Sequence, residues 1–153
     1  MIRTAVPADR AAIEAIVRDA YSTYLDRMAK PPGPMLDDYA ALIAAGAVSV
    51  HDDGQIAAMI VLLPRRDHLL LDNVAVRRDR QGHGVGRRLI EFAESEARRL
   101  GHTELRLYTH VTMTENIALY SRLGFVETGR GREAGYDRVF MTKRLAKITN
   151  YFP

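Results

Sequence analysis

Apolar residues in this chain recur with two different periods. Ile13, Ile16, Val17, Ala20, Tyr21 and Tyr24 return at helical spacing, which predicts a helix with one buried face. A short strand at 2–6 precedes it, and Pro7-Ala8-Asp9 starts the helix with Asp9 as N-cap. The Pro- and Gly-rich run 30–34 breaks the chain, and a second short helix at 36–45 ends near Gly46. Short apolar runs then take over. Residues 47–51 and 55–63 flank Asp52-Asp53-Gly54, a hairpin turn signal, and residues 69–76 follow the polar turn Arg65-Arg66-Asp67. These three runs predict an antiparallel meander.

The helical period returns at Val85, Leu89, Phe92, Ala93, Ala97 and Leu100, the stripe of a long helix ending before Gly101. Its outer face offers Arg87–Glu91 and Glu94–Arg98 pairs. A strand at 104–110 follows. Thr112-Met113-Thr114-Glu115 has the form of a capping box, opening a helix through Leu123 that Gly124 closes. Residues 125–128 and 136–142 predict closing strands. The step from 69 to 110 is a parallel crossover. The expected architecture is α/β or mixed α+β: one domain over residues 1–153, with a mixed central sheet and helices on both faces.

Composition narrows the chemistry. A chain of 153 residues, 47% hydrophobic and 27% charged, can bury a core. The absence of cysteine excludes disulfides, Cys-based zinc sites and a thiol nucleophile. His68, His83 and His102 lack metal-ligand spacing, so no metal is expected. The run from Ile56 to Leu63 is too short to span a bilayer, and the first residues lack the regions of a signal peptide. A cytoplasmic protein without membrane contact is therefore expected. The net charge of +3 does not suggest nucleic acid, and none is expected as partner.

Charge is instead local. Arg77, Arg78, Arg80, Arg87 and Arg88 gather around Gly82, Gly84 and Gly86, where a buried strand runs into the long helix. Glycines let a ligand reach main-chain N–H groups, and a helix start carries free donors and partial positive charge, so the loop suits a phosphate. It lacks the lysine of an NTPase loop, and Arg87 stands where a dinucleotide loop needs its third glycine.

The spacing Gln81-x-x-Gly84-x-Gly86, after Val74-Ala75-Val76, resembles the acetyl-CoA signature of the GNAT superfamily of N-acetyltransferases. Ala118-Leu119-Tyr120, followed by Gly124-Phe125, is similar to that family's A-x-Y-x-x-x-G-F segment, and the element order resembles the family over nearly the whole chain. The resemblance implies that Val74, Ala75 and Val76 line the pantetheine arm. It implies that backbone N–H groups of Gln81, Gly82, His83, Gly84, Val85, Gly86 and Arg87 hold the pyrophosphate. It also implies that the fourth and fifth strands splay apart around the thioester. Met113 stands where many relatives place an asparagine, and Asn116 is expected to take over that cofactor contact.

The implied activity is acetyl-CoA-dependent transfer to a primary amine, of a small molecule or a protein, by direct attack on the thioester. The alternative is a degenerate CoA-binding sensor or interaction module. A homodimer is open. Tyr120 matches the family's tyrosine and is expected to protonate the leaving thiolate. Asp72 is expected as the base: simple alternation puts it on the face of Val74 and Val76, where desolvation would raise its pKa. Tyr108 and His110 are rivals. Tyr21, Tyr24, Met35, Asp37, Asp38 and Tyr39 hint at an acidic acceptor pocket.

Overall fold

The computed structural model describes residues 1–146. In chain order they form β1 (Ile2–Thr4), α1 (Arg10–Tyr21), α2 (Tyr39–Ala44), β2 (Val48–Asp52), β3 (Ile56–Pro64), β4 (Leu69–Val76), α3 (Val85–Arg99), β5 (Glu104–His110), α4 (Thr114–Arg122), β6 (Val126–Glu133) and β7 (Tyr136–Arg144). The strands make one sheet in the order β1-β2-β3-β4-β5-β7-β6. The β4–β5 pair is parallel and the other neighbours run antiparallel. The α1 and α2 residues Ile13, Val17 and Ile43 pack on one face with Val48 and Val50. Leu89, Ala93 and Ala97 of α3 pack on the other with Leu105, Leu107 and Met141. This is the mixed sheet, covered on both faces, that the periodicity predicts.

Several boundaries and caps differ from the sequence expectation. The first strand stops at Thr4, and Pro7–Asp9 is a 3-10 turn. Asp9 does not cap α1 through its side chain. Its carboxylate reaches back to accept the Val6 N–H at 2.8 Å and pairs with Arg3 at 2.8 Å. Arg3 holds the Asp9 carboxyl below the usual range, chiefly through that hydrogen bond. The second helix starts at Tyr39, where Asp38 accepts the Ala41 N–H, and Gly33–Leu36 is a separate 3-10 turn.

On α3, Ile90 is buried while Leu100 is 39% exposed. The expected Arg87–Glu91 and Glu94–Arg98 pairs are absent among the described residues; Glu94 instead bonds Lys143 of β7 at 2.6 Å. The capping box before α4 does not form. Thr112 turns to His110 and Glu115 to Arg27. The β6–β7 hairpin is also longer than predicted, because β6 is an exposed edge strand with no apolar signal.

Candidate active site

Where β4 meets β5, the ladder pairs Leu69, Leu70 and Leu71 with Leu105, Arg106 and Leu107, and then ends. An irregularity falls at the same place on the other side of β4. Against β3, Asn73 pairs with Val61 and Leu71 with Leu62, so Asp72 is the extra residue of a β-bulge. This corrects the expected alternation. Leu71, Val74 and Val76 face the α3 side, while Ala75 belongs to the α1 side. Asp72 does not share the face of Val74 and Val76. It lines a cavity with its neighbour Asn73, and its Oδ1 accepts the Tyr108 hydroxyl at 2.8 Å across the opening between the strands.

The bulge is held from α1 and the following segment. Tyr21 donates its hydroxyl to Asn73 Oδ1 at 2.7 Å, Asn73 Nδ2 donates to the Tyr39 oxygen at 2.9 Å, and Tyr39 donates to the Pro34 carbonyl at 2.5 Å. Asn73 is 2% exposed, and this chain of bonds satisfies both ends of its amide. Burial pushes the phenols of Tyr21 and Tyr39 above their ordinary range, so both remain donors.

Two cavities open on the splay. The larger, about 820 Å³, runs from the glycine loop along the freed β4 edge. Val74, Ala75, Val76, Gln81, Gly82, Gly84, Gly86, Arg87 and Asn116 line it, as do Arg78, Arg80 and Arg122. His83 is exposed outside this lining, and the Val85 side chain is buried in the core, so neither offers it a side chain. Gly82 and Gly84 adopt φ of 81° and 80°, which other residues adopt only at a cost. Among the described residues the N–H groups of Gly82 through Arg87 find no acceptor within the chain. They form a run of donors at the positive end of a fifteen-residue helix. Arg78 and Arg80 pair with Asp19 and Asp53, whereas Arg87 and Arg122 have no ion-pair partner among the described residues.

The smaller cavity, about 140 Å³, lies beyond the splay. Asp37, Asp72, Tyr108, His110, Tyr136 and Arg138 line it, and Tyr21, Asn116 and Tyr120 line both cavities. Tyr120 is 5% exposed, its ring edge-on to Phe125 at 5.7 Å. Its hydroxyl has no hydrogen-bond partner among the described residues, and burial raises its pKa. His110 Nδ1 accepts the Thr112 N–H at 3.2 Å and lies 2.7 Å from the Thr112 hydroxyl oxygen. The residue that sequence reasoning undervalues is Asp37. Desolvation of its carboxylate and the charge of Asp72 push its pKa up to about 6. Its place in a loop between a 3-10 turn and a helix gives no periodic signal.

Among the described residues no group of three or more His, Cys, Asp or Glu side chains could hold a metal ion, and no helix is long and apolar enough to cross a membrane.

The model of the acetyltransferase (GNAT) family matches residues 11–125. The chain is similar to the IAA acetyltransferase of Azospirillum brasilense, at 42% identity over 67 residues, 42% of this chain and 44% of that protein. Its matches span less than half the length of such relatives. Among solved structures, the ribosomal-protein-S18-alanine N-acetyltransferase from Escherichia coli superposes with a TM-score of 0.70 at 24% identity, covering 99% of both chains. The PaiA N-acetyltransferase from Thermoplasma acidophilum, in complex with coenzyme A, gives 0.78 at 16% identity over 94% of this chain and 98% of that one. At these identities the structural likeness is one of fold.

Proposed function

The chain belongs to the GNAT family of acetyltransferases, and from that premise we propose that it moves the acetyl group of acetyl-CoA to a primary amine by direct attack on the thioester. The observation that carries this reading is the meeting of the two cavities at Tyr21, Asn116 and Tyr120, beside a β4 edge left unpaired after Leu71. One cavity suits a phosphate-bearing donor and the other an ammonium, and a buried phenol without a partner stands between them.

The residues fit acetyl-CoA. The N–H groups of Gly82 through Arg87 receive the pyrophosphate, and Arg87 and Arg122 add charge-assisted bonds. The free edge of Val74–Val76 pairs with the pantetheine amides as an added strand would, and Asn116 contacts the arm at the junction. A β4 N–H released from β5 binds the developing oxyanion, an effect worth roughly 3 kcal/mol per donor. An alkylammonium is almost fully protonated at neutral pH, with pKa about 10. Asp72, fixed by Tyr108, therefore holds the ammonium and accepts its proton through water. The nitrogen forms its bond to the acetyl carbon, the C–S bond breaks, and Tyr120 protonates the sulfur. The raised pKa of Tyr120 is no obstacle, because the thiolate leaves into the same poorly solvated place.

An acetyl-CoA consumption screen across amine classes tests the reading. Thiol release with at least one amine is expected. Binding of acetyl-CoA without release to any amine would turn the protein into a CoA-binding module.

A further inference from the structure

Granting acetyl transfer at this site, the acceptor cavity limits what the site can take. It is small, about 140 Å³, and bonds bridge part of its rim like a partial roof. The Tyr136 hydroxyl donates to the Pro31 carbonyl at 2.7 Å, and Lys30 Nζ donates to the Ala134 carbonyl at 3.2 Å. The same ammonium stands 5.3 Å from the Tyr136 ring centroid. These contacts tie the chain at 30–34 to the turn between β6 and β7. In that turn Ala134 adopts φ 52° and Gly135 φ 80°, and a side chain on Gly135 would press on the Lys30 ammonium. Gly33 and Pro34 on one side, and Tyr136 and Arg138 on the other, continue directly into the cavity wall. A peptide entering by this side would have to displace these ties.

The cavity wall also carries more acid than base, Asp37 and Asp72 against Arg138. Arg138 is the guanidinium in its wall, but its charge is met by Glu133 at 2.6 Å, and it lies 4.0 Å from the Tyr108 ring centroid. His110 spends Nδ1 on the Thr112 N–H. Asp72 accepts only the neutral Tyr108 hydroxyl, and Asp37 has no ion-pair partner among the described residues. Asp37 belongs to an exposed stretch at the outer side, while Asp72 sits at the splay. Two carboxylates that sense each other's charge in one cavity favour cations. The unpartnered Tyr120 hydroxyl, on a side chain 5% exposed, opens on the same space.

We propose that the acceptor is a short, unbranched aliphatic amine with no acid group, best a diamine that sets its reacting nitrogen at Asp72 and its second ammonium at Asp37. The reacting ammonium gives up two of its three protons: one is released to water through Asp72 before the nitrogen attacks, and the other passes to sulfur by way of Tyr120 as the C–N bond forms and the C–S bond breaks. The second ammonium keeps its charge throughout.

The test compares thiol release by the full chain with acetyl-CoA and four probes: trimethylenediamine, propylamine, β-alanine and trialanine. The expected order of kcat/KM is trimethylenediamine, then propylamine, with β-alanine and trialanine at least about tenfold lower again, the scale of one mismatched charge. Asp37→Asn should raise KM for trimethylenediamine more than for propylamine and bring the two within about threefold. Lys30→Ala combined with Tyr136→Phe should loosen the roof and raise release with trialanine. Parent activity on β-alanine or trialanine equal to that on trimethylenediamine would overturn the inference, as would a diamine preference that survives Asp37→Asn. Release with other amines but none of these four would overturn this inference alone. No release with any amine, by protein that binds acetyl-CoA in calorimetry, would overturn acetyl transfer itself.

Discussion

The glycine-loop groove and the acceptor cavity meet at Tyr120 but are built from different materials. The groove takes most of its chemistry from one continuous stretch, 74–87, chiefly main-chain N–H groups whose positions follow from a strand end, two left-handed glycines and a helix start, with Asn116 and Arg122 added from α4. The acceptor cavity draws side chains from α1, the loop before α2, β4, β5, α4 and β7. A site of the first kind depends on backbone conformation more than on side-chain identity, and it recognises a group shared by many ligands. A site of the second kind depends on which side chain each element brings, so specificity and proton transfer reside there.

Substitutions can break this division, and the largest effect is expected in the backbone site. Gly84→Val adds a side chain with open space around it, but at φ 80°, a conformation β-branched residues avoid. The loop should refold locally and acetyl-CoA affinity should fall ~100-fold or more, given the several donors at stake. Calorimetry on a folded variant checks this, and unchanged affinity would remove the loop from the site. Tyr120→Phe keeps the ring against Phe125 and deletes the hydroxyl. We expect kcat to fall by roughly 100-fold, as for loss of a general acid, with the dissociation constant for CoA unmoved. Equal turnover would make Tyr120 a packing residue.

Asp72→Asn should lower turnover at neutral pH by about tenfold and recover in part at high pH, where the amine deprotonates unaided. A pH–rate profile that overlays the parent's would leave water as the proton acceptor. The acceptor cavity should also respond to acid. The raised Asp37 group is an anion above about pH 6 and loses its charge as pH falls through that value. KM for a cationic acceptor should therefore rise severalfold between about pH 7 and 5, and a flat KM would take Asp37 out of recognition. The smallest effect belongs to the groove's arginines. Affinity for acetyl-CoA should weaken by a few-fold from low to high ionic strength, because Arg87 and Arg122 act through screened contacts. A flat titration would leave the backbone as sole anchor.

The same division separates what is legible in the sequence from what is not. The β4 bounds, the α3 start and the β5 bounds follow from local periodicity and punctuation, and Leu69–Val76 and Glu104–His110 are found as predicted. The glycine loop is equally local. The bulge at Asp72 is not. It is a register relation between β3 and β4, and alternation within β4 alone puts Asp72 on the wrong face. The capping box fails for a similar reason. Glu115 makes a bidentate pair with Arg27 at 2.8 and 2.9 Å, a partner 88 residues away that no local pattern contains. Asp9 likewise turns from its expected cap to Arg3. Charged and polar side chains choose partners after the backbone has brought distant segments together, and spacing within one segment carries no record of that choice.

The bulge at Asp72 also makes the site sensitive to length as well as identity. The strand on the N-terminal side keeps step with β5 through Leu71, while the strand beyond serves the groove, and one supernumerary residue separates the two duties. Removing that residue would leave every apolar side chain in the chain's inventory. It would nonetheless let β3 and β4 run in unbroken register and draw β4 against β5, closing the opening where donor and acceptor meet. At this position a single-codon deletion would be more damaging than most substitutions.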